Sequence, residues 1–579
     1  MTSEPAMAFP DDRSLGRVFR VDTGSIWAEA TDHEKLTRVS VGSLVALQGS
    51  NSSEYLVGML DRVTRDLHDE ALVGESGEDG VVPVETRQRD LIRVVLLGTY
   101  REVDGTKADT FKRGADCYPL VESRCWVIDG KNLQNFMGLL TRQLEPEKQL
   151  RLGSFVSDPT AIAVADGDRL FQRHAALLGS TGSGKSWAVA LILERARALE
   201  YPNLIVLDMH GEYAPLTEGD DPIASGFRIA GPGRSRDDAQ PLYLPWWLLN
   251  QEEMQALLLD RSEVNAPNQA ARLTHHVREL KLERLEAEGK EEVASRFTVD
   301  SPIPFSLSDL IQRLIDDDNE MVAGTTSKGK AGPFNGRLTR FINRLSARVE
   351  DRRYGFMFGP PEDAVGYEWL HGLAKDLLGT RPGIKVIDFS EVPSEILPIV
   401  VGVLSRVLYE IHFWTEEDAR SAITLVCDEA HLYLPSGLPD AAESRALDTF
   451  ERIAKEGRKY GISLLVVSQR PADVSRTVLS QCNNFITLRL TNDQDQAVVR
   501  RLIPDSMEGI VSALPLLDVG EALVLGDAIV LPTRIRLDAP TVQPRSATKD
   551  FWTEWSEVEV KEDDLVAAVE AMRTQSRKA

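Results

Sequence analysis

Over residues 1–155, short apolar or alternating runs recur at Ser25–Ala30, Leu44–Gln48, Tyr55–Leu60 and Leu91–Leu97, with Gly and Ser between them. Runs of this length and period predict strands, and a small β-barrel is their natural closure. The acidic, Gly-rich stretch Asp66–Glu85 predicts a long exposed loop. From Leu152 the pattern changes. Apolar runs at Ala175–Leu178, Leu204–Leu207, Ile384–Ile387, Ile423–Cys427, Ser463–Val467 and Phe485–Leu488 alternate with helical periodicity. That alternation predicts an α/β fold, a parallel sheet with helices on both faces. Residues 251–375 interrupt it with charged helical segments at Glu252–Asp260, Ala270–Glu288, Leu307–Ile315 and Arg337–Val349, read as an inserted helical bundle. The organisation expected is therefore 1–155 barrel, 156–250 first part of the core, 251–375 insertion, 376–545 second part of the core, and 546–579 tail. The tail opens on Phe551, Trp552 and Trp555 and then predicts an amphipathic helix over Asp564–Met572, suited to bracing a neighbour or its own subunit.

Composition narrows the function classes. A hydrophobic content of 42% with 27% charged residues is that of an ordinary soluble globular protein, and 579 residues are ample for a large core. The net charge of −24 argues against nucleic acid coating the outer surface, while leaving room for a channel lined by a few basic residues. Lys328, Lys330, Arg337, Arg340 and Arg344 of the insertion could touch phosphate, but a solvated helix face explains them as well. Four cysteines, Cys117, Cys125, Cys427 and Cys482, form no C-x-x-C pair and suggest a reducing compartment. The acidic start at Asp11 and Asp12 is no signal peptide. The best membrane candidate, Ile396–Leu408, is too short and carries Arg406, so a cytoplasmic location without membrane contact is expected.

The chemistry centres on Gly179-Ser180-Thr181-Gly182-Ser183-Gly184-Lys185-Ser186, which fits the phosphate-binding pattern G-x-x-x-x-G-K-[ST]. Glycines let the backbone curl until successive N–H groups face phosphate oxygens. Lys185 adds charge at the β- and γ-phosphates, and the Ser186 hydroxyl is placed to ligate Mg²⁺. The apolar run before the loop and the helical spacing of Trp187, Leu191, Ile192 and Leu199 after it give the strand–loop–helix setting an anion site needs. ATP and Mg²⁺ are thus the expected ligands.

Asp428 and Glu429 close the apolar run Ile423–Cys427. With a phosphate loop present, Asp428 is the expected metal-side carboxylate and Glu429 the group that polarises the attacking water. Asp208 and Glu212, in Asp-Met-His-Gly-Glu-Tyr, can face the nucleotide from the next strand end, although a turn built on Gly211 would explain them too. Gln469, in Ser468-Gln469-Arg470, can bond the γ-phosphate or the water. Arg173 and Arg458 are the candidate guanidinium donors to the transition state, within a subunit or across an interface.

Taken in order, Arg173-His174, the glycine loop, Val206–Tyr213, Leu244-Pro245-Trp246-Trp247-Leu248-Leu249, Asp428-Glu429-Ala430-His431, Glu456–Gly461 and Ser468-Gln469-Arg470-Pro471 resemble the HerA branch of the FtsK–HerA family of DNA-pumping ATPases. The resemblance runs over nearly the whole chain. It implies a RecA-like P-loop NTPase core with an N-terminal barrel, a homo-hexameric ring with ATP sites between subunits, and double-stranded DNA in the central channel. It also implies a partner on the barrel, either a nuclease of the NurA type in end resection or a sirtuin-like or nuclease effector in phage defence. Arg173 is expected to act across the interface, and Arg458 to sense or stabilise phosphate.

Other readings are weaker. Asp428-Glu429-Ala430-His431 also spells the box of superfamily 2 helicases, but no second core bearing their arginine motif follows Gln469-Arg470. From a different class, the chain could be an ATPase scaffold that assembles and regulates an anti-phage effector without pumping DNA.

Overall fold

The computed structural model describes residues 6–37, 39–51, 53–71, 84–103, 109–115, 117–230, 239–322, 330–381, 383–437, 441–503, 508–546, 551–557 and 561–574. They form two compact units: Met1–Leu191 with Gln469–Ala472 and Cys482–Ala539, and Ile192–Ser468 with Asp473–Gln481 and Pro540–Ala579.

In the first unit the strands Ile26–Ala30, Gly16–Val21, Arg124–Val127, Leu44–Gln48, Glu54–Ala71, Val84–Arg101 and Thr110–Arg113 lie side by side in that order. Ile26–Ala30 pairs back onto Val84–Arg101, so the expected barrel closes. Alternate residues point inward, and Val18, Ile26, Val45, Leu47, Leu56, Leu60, Ile92 and Val94 fill the interior. Phe9, Tyr55 and Trp126 stack together, and Tyr100 and Phe111 pack edge-on against Phe136 of the helix Gly130–Arg142. The expected loop Asp66–Glu85 is shorter than its composition suggested. Asp66–Ala71 and Val84–Glu85 belong to paired strands, in which Arg65 lies opposite Asp90 and Asp66 opposite Arg89. Residues 72–83 lie outside the described residues.

The same unit holds the strand Ala175–Leu178, parallel to Asn484–Thr487. The strands that continue from there are antiparallel: Glu521–Gly526, Thr533–Leu537, Gln149–Phe155 and Asp158–Asp166. Beside its parallel pair this unit thus carries an antiparallel edge, whose short hairpins need no crossover helix.

The second unit is the parallel part: Gln240–Leu242, Ser225–Ile229, Ile384–Asp388, Leu204–Asp208, Ile423–Cys427 and Ile462–Ser468 in spatial order. Its central strands are buried along their length, which explains their continuous apolar runs. Between Leu242 and Ile384 come the helices Gln251–Leu258, Ala266–Ala287, Leu307–Asn319, Thr339–Glu350 and Tyr367–Leu378. Of the basic residues there, Arg344 bonds Glu263, Arg337 and Arg340 face solvent, and Lys328 lies outside the described residues.

The membrane candidate needs correcting. The helix runs Leu397–Trp414, 18 residues, and by length and composition alone it could cross a bilayer; 72% of it is buried within the fold. Arg406 does not interrupt it. Its guanidinium bonds both oxygens of Glu253 at 2.7 and 2.8 Å and Glu410 at 2.9 Å, so the charge is neutralised where it is buried. None of the four cysteines forms a disulfide. The tail forms helices Phe551–Glu557 and Glu562–Thr574, and Trp552 is 85% exposed.

Candidate nucleotide site

The glycine loop leaves the end of a fully buried strand and enters the helix Lys185–Arg197. Its three glycines do different work. Gly182 and Gly184 have φ of +72° and +104°, conformations an L side chain resists. Gly179 does not share that backbone; a Cβ there would sit 2.5 Å from Ser183 Oγ and 2.9 Å from Leu488 Cβ, so it is required by space. The loop is pinned from outside: Ser180 N–H donates to the Arg489 carbonyl at 2.8 Å, Thr491 N–H to Ser180 Oγ at 3.2 Å, and Gly520 N–H to the Ser183 carbonyl at 3.2 Å. Lys185 is 8% exposed, with Nζ 3.5 Å from the Ser180 carbonyl. On the helix that follows, Leu191 and Ile192 are buried as the spacing predicted, whereas Trp187 is exposed, and Leu199 lies beyond the helix end and is exposed too.

Gln469 belongs to this unit, and its Oε1 accepts from the Thr181 hydroxyl. The sequence-predicted sensor and the phosphate loop are thus brought together. Arg173 is held differently. It pairs with Asp527, which also accepts from Asn483 Nδ2 at 3.4 Å and lies 3.9 Å from Arg113 of the barrel. These contacts, after the cost of burial, hold the Asp527 carboxyl below its usual range. The adjoining His174 takes a left-handed φ of +47°, and Asn483 N–H bonds the Arg173 carbonyl at 3.1 Å.

The candidate acids lie in the second unit. Asp208 is fully buried at its strand end. Its Oδ1 accepts from the N–H groups of His210, Gly211 and Glu212 at 3.3, 2.8 and 3.1 Å, and Oδ2 from Tyr213 at 2.9 Å. One side chain therefore shapes the whole turn, in which Gly211 takes φ +72°. Burial pushes the Asp208 carboxyl up to about 7, and Asp388 on the paired strand adds to the rise. Glu212 is half-buried on this turn, and its carbonyl accepts from Arg545 N–H at 2.7 Å.

Asp428 and Glu429 are 4% and 7% exposed. Burial raises Asp428 well above the ordinary carboxyl range, with Glu429, Asp208 and Glu212 contributing repulsion in that order. Tyr213, wholly buried, feels the same acids, and its hydroxyl is pushed far up, chiefly by burial. Glu429 has φ +44° and ψ +45°, a left-handed conformation rare outside glycine and concentrated at functional sites. His431 Nδ1 lies 3.2 Å from Glu429 Oε2.

Arg458 sits on the turn Gly457–Tyr460 with its side chain exposed and bonded to nothing among the described residues. Among those residues no cluster of three His, Cys, Asp or Glu is arranged to hold a metal by itself. Sequence reasoning passed over Asp388, Asp527 and His431 as partners of the candidates. Asp388 had a signal, since it ends a buried strand as Asp208 does.

Residues 150–408 match the family model described as the central domain of helicase HerA. The double-strand break repair helicase HerA of Pyrococcus furiosus is 26% identical over 448 residues, 72% of this chain and 74% of that protein. A probable helicase of Methanocaldococcus jannaschii is 25% identical over 534 residues, covering 87% of this chain and 92% of its own. Among solved structures, the bacterial conjugative coupling protein TrwB aligns with 73% of this chain and 95% of its own, at 13% identity and a TM-score of 0.45.

Proposed function

We propose that the chain is a HerA-type ATPase of the FtsK–HerA family, forming a homo-hexameric ring that pumps double-stranded DNA through a central channel at the expense of ATP. The observation that carries this is the glycine loop between buried strand and helix, with Gln469 bonded to Thr181. Lys185 binds the β- and γ-phosphates. Ser186 and Asp428 would hold Mg²⁺, whose charge would offset the phosphates; the raised, acid-crowded Asp428 fits a cation. Glu429 takes the proton of the attacking water, Gln469 reads the γ-phosphate, and Asp208 shapes the turn that carries Glu212.

Of the two arginines, Arg458 is the better donor to a neighbour's nucleotide, because its side chain is exposed and unengaged, whereas Arg173 is committed to Asp527. This exchanges the roles expected from sequence. The barrel is the docking site for a partner nuclease of the NurA type or a sirtuin-like or nuclease defence effector, and the ring works in the cytoplasm. ATP turnover measured with and without duplex DNA, for the wild type and Lys185→Ala, tests the reading. Stimulation by DNA that Lys185→Ala abolishes is the expected result. Turnover indifferent to DNA would point instead to a scaffold that uses ATP to time an effector.

A further inference from the structure

We infer that Glu521 is a positioning residue for nucleotide binding, one that holds the phosphate loop in shape through the turn at 518–520. The inference rests on the reading of the glycine loop as the nucleotide site. Its starting point is the antiparallel pair Glu521–Gly526 and Thr533–Leu537, where Glu521 lies opposite Arg536 and Leu523 opposite Arg534. Alternate residues of a strand share a face, so both arginines stand on the side that Glu521 occupies. The Glu521 carboxylate is buried, and both its oxygens are engaged. Oε2 accepts from Arg534 Nε and Nη2 at 3.2 and 2.6 Å and from the Asp518 N–H at 3.2 Å; Oε1 accepts from Arg536 Nη2 at 2.9 Å. Burial alone would raise this carboxyl, yet the bonds from Arg534 and Asp518 and the charge of both guanidiniums hold it below its usual range. The Glu521 N–H closes the turn on the Asp518 carbonyl at 3.1 Å, and the Leu537 N–H bonds the Gly520 carbonyl at 2.9 Å. One side chain on the strand thus fixes the turn that precedes it.

That turn meets the phosphate loop directly, and all of these residues belong to the first compact unit. The Gly520 N–H donates to the Ser183 carbonyl at 3.2 Å, and a Cβ at Gly184 would come within 3.6 Å of Gly520 N. Gly520 reaches this position with a left-handed φ of +76°. In a planar trans peptide unit the C=O and N–H point in opposite directions. A bond that turns the Ser183 carbonyl towards Gly520 therefore turns the Gly184 N–H away from it. In the proposed site that N–H is one of the amides that face phosphate, and Lys185 follows it in the chain. A loop whose amides are aimed before the ligand arrives binds without first losing that freedom. Glu521 supplies the aim without touching phosphate.

The test uses the full-length protein and a fluorescent, non-hydrolysable ATP analogue. Gly520→Ala leaves the carboxylate in place and adds a Cβ that meets nothing within 4 Å, so it acts through the left-handed backbone alone. It should weaken binding of the analogue about 5- to 30-fold, the factor set by one strained left-handed residue. Glu521→Ala, which frees the turn, should weaken binding at least as much. Glu521→Gln, which keeps the shape and one acceptor oxygen, should fall between Glu521→Ala and the wild type. The loop grips phosphate before and during the reaction alike, so KM should rise with Kd while kcat stays within about 3-fold of wild type. Hydrogen exchange without nucleotide should quicken in peptides covering 179–186 and stay unchanged in the barrel strands. Asp109→Asn, which weakens the bond that the Tyr100 hydroxyl donates to Asp109 at 2.6 Å in the barrel, controls for general destabilisation. It should lower the melting temperature and leave the affinity at its wild-type value. If Glu521→Ala does not fold, Gly520→Ala and Glu521→Gln carry the test. Wild-type affinity in folded variants of the turn, unchanged exchange over 179–186, or an equal loss of affinity in Asp109→Asn would each overturn the inference. If Lys185→Ala loses the analogue while the turn variants keep it, this inference falls and the nucleotide reading stands; if Lys185→Ala binds like the wild type, the reading beneath it falls.

Discussion

Single side chains carry the sharpest consequences. In the proposed site Lys185 supplies the main side-chain charge for the phosphates, so Lys185→Ala is expected to abolish hydrolysis and weaken nucleotide binding; a filter-binding assay beside a turnover assay checks both. Glu429→Gln removes the base and leaves Asp428 in place. It should bind ATP normally and hydrolyse it about 10²- to 10⁴-fold more slowly, the usual worth of a positioned general base. Asp208 makes a pH prediction. Its carboxyl is raised from the unfolded value of 3.8 to about 7, so between those limits the folded chain binds the extra proton. Stability from this group is therefore full at acid pH and falls as pH rises from about 4 to about 7. Asp208→Asn cannot titrate. Its melting temperature should lie below that of the wild type throughout, because an amide cannot accept all four backbone N–H groups, a cost of about 1–3 kcal/mol. The gap should narrow as pH rises through that window. A gap independent of pH would mean that Asp208 does not titrate there.

At the scale of elements, the loop and the strand ends hold the chemistry in place. The loop works because three glycines meet two separate demands, φ at Gly182 and Gly184 and space at Gly179. Gly182→Ala adds a Cβ that meets nothing within 4 Å, so its cost is backbone strain alone, about 1–2 kcal/mol. Gly179→Ala pushes into Ser183 and Leu488 and should damage nucleotide binding more; isothermal titration with ATP separates the two. Asp527 ties the residue ahead of the loop strand to its surroundings through Arg173. Asp527→Ala should therefore lower kcat even though Asp527 touches no phosphate in the proposed scheme, and Arg173→Ala should add little to it.

At the scale of the whole molecule, the chain carries one phosphate loop and an exposed Arg458 whose side chain bonds nothing among the described residues. In the proposed ring a neighbour's arginine completes such a site, and light scattering at micromolar concentration should report a hexamer. Mixing inactive Arg458→Ala with inactive Lys185→Ala subunits should partly restore hydrolysis, since some interfaces then pair an intact arginine with an intact loop. Mixed rings that remain silent, with exchange shown by mass spectrometry, would count against action across the interface. The exposed Trp552 and Trp555 of the tail offer a second surface for a neighbour.

The sequence by itself determined the phosphate loop, the strands on either side of it, the acids ending Ile423–Cys427, the barrel and the inserted helices. These are written locally, in glycine spacing, in apolar runs of strand length and in helical periodicity, and local patterns survive without knowledge of what they pack against. Only the tertiary structure decided what the polar candidates do with their charge. Asp208 turned inward to four N–H groups, Arg173 to Asp527, and His431 to Glu429, while Arg458 was left open. Asp527 lies more than three hundred residues from Arg173 in the chain, so no spacing rule could join them. Arg406 reads from sequence as a break in the apolar run at Ile396–Leu408, yet the helix continues over Leu397–Trp414 because Glu253 and Glu410 pair with it inside the fold. A side chain's role depends on which partner the fold delivers, and that partner is a property of the packed chain.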